Sequence, residues 1–381
     1  MASRRPHLAS IVEDKWHSRA ERVLRARGWR TRALGYTGYG SPEQVRVLGR
    51  IKLAPSGKDS HGEPVEEKAD PVRQLRGYDE RRGWRSFTTP PPAVNAAVEV
   101  RVGNKVVNCR TDRSGYVDVV VEKHGLKPGW HEATIRSDDS DAATAPVLII
   151  GPETRYGIIS DLDDTCISTM LPRMMIAAWN TLVVHSQART AVPGMAPFYR
   201  ELRQMYDDAP VIYLSTGAWN TADTLEDFLQ RAGFPKGPML LTDWGPTNTG
   251  WFRSGQEHKR ATLRRLWREF PHVHWMLIGD DGQHDPKIYG DFAEDHPDVV
   301  EFIALRELTP AEQVLSHGLP VRNEDLLPSE SINATTPVYR APDGYSLAAR
   351  IKAKHEAEQD REARRPSLRR IAAHNTRRRR R

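Results

Sequence analysis

Cysteine is scarce: only Cys109 and Cys166 occur in 381 residues. That excludes a disulfide framework and suits a reducing compartment. No apolar run approaches the ~20 residues that a bilayer-crossing helix needs. The opening MASRRPHLASIVEDKW has no apolar core of the kind a secretory signal peptide carries. Internal repeats are missing, and His272, His274 and His284 do not have a zinc-site spacing, which leaves them as core or surface histidines. What is present, 38% hydrophobic and 8% aromatic residues with a mean hydropathy of −0.62, fits a soluble globular chain with polar ends. Together these features predict a cytoplasmic protein, with peripheral membrane contact left open.

The net charge of +6 is unevenly divided. Residues 361–381 hold ten Arg and one Glu, and residues 1–32 hold nine Lys or Arg against three acids. The ends therefore carry +9 and +6, leaving −9 for the body. An anionic partner is expected at the ends. The Arg-rich tail has three readings: a solvated end, a contact for anionic lipid, or a contact for nucleic acid.

Along the chain, 10–30 has a weak helical pattern that Gly28 would stop, and 54–72 reads as a loop rich in Pro, Gly, Lys and Glu. From about 95 the pattern alternates, as in Val98, Val100 and Val102 against Glu99 and Arg101, with a hairpin signal at Gly103-Asn104. Residues 33–150 are therefore read as a small antiparallel β-sandwich, similar to the Ig-like or transthyretin-like modules that accompany many enzymes. From 151 the grammar changes. Strands are expected at 156–161, 211–215, 239–241, 275–279 and 299–305, with helices near 195–206, 220–231, 257–269 and 285–295. Alternation of this kind predicts an α/β fold whose parallel sheet is covered on both faces. The expected organisation is a basic, partly helical segment at 1–32, the sandwich at 33–150, the α/β unit at 151–350 with a small cap insertion near 166–192, and a basic helical or disordered tail at 351–381.

Ligand-binding groups in such sheets belong at the C-terminal strand ends. Four features sit there in order: Asp161-Leu162-Asp163-Asp164-Thr165, Ser215-Thr216-Gly217, Lys259 at a helix start, and Gly279-Asp280-Asp281 with Asp285 close behind. Residues i and i+2 at a strand end can point the same way, so Asp161 and Asp163 can face one phosphate. One carboxylate can attack phosphorus while a second, protonated, serves the leaving alkoxide. A hard cation such as Mg²⁺ would offset the repulsion, with Asp280 as a carboxylate ligand. Ser215, the amides of Thr216 and Gly217, and Lys259 are candidates for the phosphate.

DLDDT, the strand-ending Ser, the helical Lys and GDD followed by Asp resemble the haloacid dehalogenase (HAD) phosphatase superfamily over about 150–310. The resemblance implies a HAD-like Rossmannoid sheet, Asp161 as nucleophile, Asp163 as general acid/base, and Ser215 and Lys259 as phosphate-binding residues. It also implies Mg²⁺ held by Asp161, Asp280 and the Asp163 carbonyl. YGIISDLDDTCIST, VIYLSTGAWN, FLQRAGFPKGPMLLTDWG, HKRATLRRLW and IGDDGQHDPKIYGDFA further resemble the actin-patch-protein branch of Mg²⁺-dependent phosphatidate phosphatases, more distantly linked to the lipins and with bacterial relatives. That implies conversion of phosphatidate, an anionic phospholipid, to diacylglycerol and phosphate. Asp281 stands where Ser is expected and Lys287 where Glu is expected; these departures bear on substrate preference.

Blander readings stand beside these. Asp164 is expected to cap or support the turn, Thr165 to hydrogen-bond backbone there, and Asp281 and Asp285 to cap a helix or touch a metal through water. Lys259 competes with Arg260, Arg253 and Lys236 for the phosphate. Cys166 reads as a small buried residue. The apolar span 170–186 is a core-packed helix or a lipid-facing cap carrying Met174, Met175 and Trp179. The alternatives for function are a phosphatase for a soluble or nucleic-acid phosphate ester, and a non-catalytic phospholipid-binding module. Oligomeric state is not legible.

Overall fold

The computed structural model describes residues 21–55, 92–138, 140–168, 190–242, 255–282, 284–317, 336–357 and 359–360. Residues 169–189 of the expected cap insertion, including the apolar span 170–186, most of the loop at 54–72 and the Arg-rich tail lie outside the described residues.

The first part of the chain is a β-sheet. A short helical turn at 21–26 ends where Gly28 takes a φ of 81°, and β1 (Trp29–Gly40) begins four residues ahead of the expected boundary at 33. It is followed by β2 (Gln44–Pro55), β3 (Ala97–Val102), β4 (Lys105–Arg110), β5 (Tyr116–Glu122), β6 (Gly129–Ser137) and β7 (Ala143–Ile149). Alternation puts Val98, Val100 and Val102 of β3 inward and Glu99 and Arg101 outward, as the pleat requires. Two separate sheets were expected here. Instead all seven strands hydrogen-bond in one series, β4-β3-β6-β7-β1-β2-β5, antiparallel except for the β1–β7 pair. The series curls until its terminal strands β4 and β5 meet, around a core that includes Val45, Val47, Ile51, Leu53, Val100 and Ile135. Parallel pairing of β1 with the last strand of the unit joins β4-β3-β6-β7 to β1-β2-β5 in one series, and local alternation does not reveal a pairing across more than a hundred residues.

The second part is a six-stranded parallel sheet of order β12-β11-β8-β13-β14-β15. Its strands are β8 (Tyr156–Ser160), β11 (Val211–Ala218), β12 (Met239–Thr242), β13 (His274–Asp280), β14 (Val300–Arg306) and β15 (Val338–Ala341), with the small β9 (Ile167–Ser168) and β10 (Thr190–Ala191) paired beside it. The helices are α1 (Met195–Met205), α2 (Ala222–Arg231), α3 (Gly255–Glu269), α4 (Asp285–Asp295), α5 (Pro310–His317) and α6 at 344–357. β15 falls where periodicity in the sequence is lost: four residues are too few to show a pattern.

Strand order locates the site. From β8 the chain runs outward to β11 and β12, then returns to the other side of β8 to lay down β13, β14 and β15. The β8/β13 boundary is thus the switch point where a crevice opens beyond the C-terminal strand ends. Ser160 is in register with both Tyr213 of β11 and Ile278 of β13, so Asp161, Ser215 and Asp280 follow within two residues on three adjacent strands. Close packing supports this: a Cβ on Gly157 would lie 2.5 Å from the Trp275 ring, so β8 and β13 rely on a residue without a side chain there. No helix among the described residues is long and apolar enough to cross a membrane.

Candidate active site

Asp161 leaves β8 with its N–H still donating to Ile278 O at 2.9 Å, so it remains fixed to the central ladder. Behind it, its carbonyl accepts from Ser160 Oγ at 2.7 Å and Cys166 Sγ at 3.4 Å, and the Ser160 and Tyr199 hydroxyls share a hydrogen bond. Burial pushes the Cys166 thiol up to about 12, so it is no nucleophile at neutral pH and plays the small buried part expected of it.

The turn after Asp161 is tight. Asp164 takes a φ of 59°, uncommon for a residue with a side chain, and its N–H donates to Ile167 O at 2.8 Å. Thr165 was expected to hydrogen-bond the backbone here; its buried hydroxyl has no hydrogen-bond partner instead. The turn is held by a residue that sequence reasoning missed. Arg306, at the end of β14, donates from one guanidinium nitrogen to Asp164 O at 2.7 Å, from another to Glu312 Oε1 at 2.5 Å and from Nε to Pro342 O at 3.3 Å. Its signal in the sequence is slight: a lone Arg closing the apolar run VVEFIALR. Replacing Arg306 by Met strands Glu312 and two carbonyls. The expected loss is about 3 kcal/mol of stability, measurable by urea unfolding, with most of it retained by Lys.

Lys259 enters from the first turns of α3, 4% exposed, and its Nζ donates to Asp161 Oδ1 at 2.6 Å and Asp285 Oδ1 at 2.5 Å. Burial alone would lower its pKa; the Asp161 and Asp285 carboxylates overcome this and hold it above the usual lysine range. Lys259 is thereby separated from two of its three competitors. Arg260 instead bonds Gln256 and Asp291, Lys236 lies over the Trp130 ring, and Arg253 is outside the described residues.

Carboxylate oxygens of Asp161, Asp280 and Asp285, all buried, lie within 4.8 Å of one another. Burial first, then neighbouring carboxylates, pushes the Asp161 and Asp280 carboxyls well above the usual range, with Lys259 opposing. Asp280 Oδ1 accepts from Gly282 N–H at 2.8 Å, whereas Asp280 Oδ2 and Asp285 Oδ2 are buried without a hydrogen-bond donor. Three carboxylates against one ammonium, with two oxygens unsatisfied, is a donor set that fits a hard divalent cation. Asp285, expected only near the metal or as a cap, belongs to this group. Asp281 does not: its Oδ1 accepts from Leu308 N–H at 2.8 Å and supports the turn after β14.

Asp163 is half-buried, and its Oδ2 accepts from Ser215 Oγ at 3.1 Å. Ser215 Oγ in turn accepts from Gly217 N–H at 2.9 Å. The Ser215–Gly217 segment therefore faces Asp163, with its inner donors engaged on each other. The β11–β12 register breaks between Leu214 and Ala218, and Thr242 Oγ1 takes up the slack by donating to Thr216 O at 2.9 Å and Gly217 O at 3.2 Å. α3 starts against the same loop: a Cβ on Gly255 would lie 2.7 Å from Thr216 Cγ2.

A metal response is expected. At a cation concentration a hundredfold above Kd, Mg²⁺ should stabilise the fold by about 2.7 kcal/mol. Asp280→Asn should raise the melting temperature without metal, by removing one buried carboxylate, and flatten the Mg²⁺ response in a thermal-shift titration.

Residues 156–307 match the family described as the catalytic domain of phosphatidate phosphatase APP1. The chain is 26% identical over 188 residues to phosphatidate phosphatase APP1 of Saccharomyces cerevisiae, covering 49% of this chain and 32% of that protein. It is 24% identical over 152 residues to an uncharacterized protein of Schizosaccharomyces pombe, covering 40% of this chain and 25% of that one. The chain thus spans a third or less of the length of these curated relatives. Among solved structures, the HAD domain of the effector protein Lem4 from Legionella pneumophila is similar at 12% identity, covering 42% of this chain and 88% of that one with a TM-score of 0.28. The segment that bears the rim of acids is therefore the segment similar to a phosphatase catalytic domain.

Proposed function

We propose that this chain is a Mg²⁺-dependent phosphatidate phosphatase with a HAD-like catalytic unit, releasing phosphate through an aspartyl-phosphate on Asp161. The observation that carries the reading is the Asp161–Asp280–Asp285 group with buried Lys259 at the switch point of the parallel sheet. A carboxylate nucleophile must be ionised, yet burial favours its neutral form; Lys259 on Oδ1 opposes that and favours the charged carboxylate.

Asp161 attacks phosphorus, forming the Asp161–phosphoryl bond as the bond to the alkoxide oxygen breaks. Asp163 gives that alkoxide its proton, releasing the alcohol. Water then attacks the phosphoryl group, Asp163 takes the water's proton, and the carboxylate of Asp161 is restored with inorganic phosphate. Ser215, Thr216 and Gly217 would exchange their present bonds for phosphate oxygens. Asp161, Asp280 and the Asp163 carbonyl, now joined by Asp285, are the groups that would hold Mg²⁺, which supplies the charge that offsets carboxylate–phosphate repulsion.

Similarity to the yeast enzyme supports phosphatidate as the substrate, and the basic segments 1–32 and 361–381 suit contact with an anionic membrane from the cytoplasm. The test is phosphate release, with Mg²⁺ and with EDTA, from phosphatidate, lysophosphatidate, a 3′-phosphorylated oligonucleotide and a small chromogenic ester. Preference for phosphatidate supports the reading. Preference for the oligonucleotide would reassign the substrate, and no release from any ester would leave a phospholipid-binding module.

A further inference from the structure

Among the described residues the curled β-sheet supplies none of the rim carboxylates, but it packs against the exit of the Ser215–Gly217 segment. Ser215, Thr216 and Gly217 lie in the register break of β11, so they lack the ladder bonds that fix the rest of the strand. Ala218 rejoins the ladder opposite Thr242, and the next residue, Trp219, opens the 3-10 turn Trp219–Thr221 leading into α2. Its ring stacks on Tyr36 of β1, with centroids 5.4 Å apart and planes at 23°, and meets Tyr116 of β5 at 5.6 Å. Both tyrosines are buried, at 3% and 8% exposure, and the Arg50 guanidinium of β2 covers Tyr116 from 4.8 Å. In the first turn of α2, Asp223 accepts from Lys52 Nζ of β2 at 2.9 Å. Strands β1, β2 and β5 thus grip the exit of the Ser215–Gly217 segment and the start of the helix after it.

We propose that the curled β-sheet braces the phosphate-binding loop, and that Trp219, wedged between Tyr36 and Tyr116, is the positioning residue through which the brace acts. This rests on the reading of Ser215–Gly217 as a phosphate cradle. Donors must be held within about 0.5 Å of their working positions for charge stabilisation to be realised. A loop outside its ladder has few bonds of its own to achieve that: Thr242 holds its carbonyls from one side, and Trp219 anchors its end from the other.

The test compares Trp219→Leu and Trp219→Phe in the full chain, reading kcat and KM for phosphatidate, the inhibition constant of inorganic phosphate, and the melting temperature. Phe270→Leu is the control. Phe270 meets Tyr39 across the same interface but sits beside Trp275, at the opposite end of the parallel sheet from the rim. Expected for Trp219→Leu is a cooperative melt with kcat about tenfold to a hundredfold lower and the phosphate inhibition constant raised about tenfold. Trp219→Phe should stay within about threefold of wild type, because a ring remains to stack. Phe270→Leu should lower the melting temperature and leave both constants unchanged. Should Trp219→Leu misfold, Tyr36→Leu removes the stacking partner from the other side, with the same expected changes. A Trp219→Leu or Tyr36→Leu protein that melts lower but keeps the wild-type phosphate constant overturns the brace and leaves the hydrolase reading intact. A wild-type protein inactive on every ester overturns both.

Discussion

Asp161→Asn is expected to lower kcat by about 10⁴-fold or more while leaving the fold in place. The amide has nearly the same shape, and its oxygen can still accept from Lys259 Nζ, which lies 2.6 Å from Asp161 Oδ1. The N–H of residue 161 keeps its bond to Ile278 O, so the strand end should not move. What disappears is the anionic oxygen nucleophilic enough to bond phosphorus. Removing one of three crowded acids should also make the metal-free protein melt slightly higher. A stopped phosphate-release assay beside a thermal melt separates the two effects: activity should vanish from a protein that is at least as stable as wild type.

Lys259→Met should damage both activity and stability. Lys259 bonds Asp161 and Asp285 where all three side chains are at most 5% exposed. Breaking a buried pair by removing one partner costs about 3–5 kcal/mol, because the remaining charge stays buried. Burial already holds the Asp161 and Asp280 carboxyls above the usual range. Such groups bind protons more readily folded than unfolded, so stability falls as pH rises from the unfolded carboxylate range, about 4, through the folded values. Without Lys259 the carboxyls rise further. The deficit of the variant should therefore be greatest at neutral pH, shrink on acidification toward pH of about 4, and shrink also on adding Mg²⁺. Urea unfolding across pH, with and without the cation, measures this. Catalysis should not recover with stability, since Asp161 would be protonated under the acidic rescue.

The order of apolar strands and polar ends in 156–306 was enough to place Asp161, Ser215 and Asp280 on adjacent strand ends, because parallel strands buried on both faces read as short continuous apolar runs. Lys259 could be chosen over Arg260 only once the helix had a face, since neighbouring positions on a helix diverge by a large angle. Arg306 and Thr242 act on backbone carbonyls, which carry no side-chain signature in a sequence. Asp285 looked like a helix-start acid because it is one; that it also faces Asp161 and Asp280 depends on α4 packing over β13 and β14. The single series of the first sheet rests on the parallel β1–β7 pair, and the sheet's grip on Trp219 rests on rings from strands far apart in the chain. Periodicity reports which face a residue uses, and it is silent on what that face meets.

The central claim, that Asp161 carries the phosphoryl group, is tested most directly by acid-quenching the protein during turnover of ³²P-labelled phosphatidate with Mg²⁺. The account predicts a hydroxylamine-labile label on the peptide containing Asp161, formed and lost at rates compatible with kcat, and no label on the Asp161→Asn protein. Steady phosphate release with no protein-bound label at any quench time, or equal release by the Asp161→Asn protein, would contradict it.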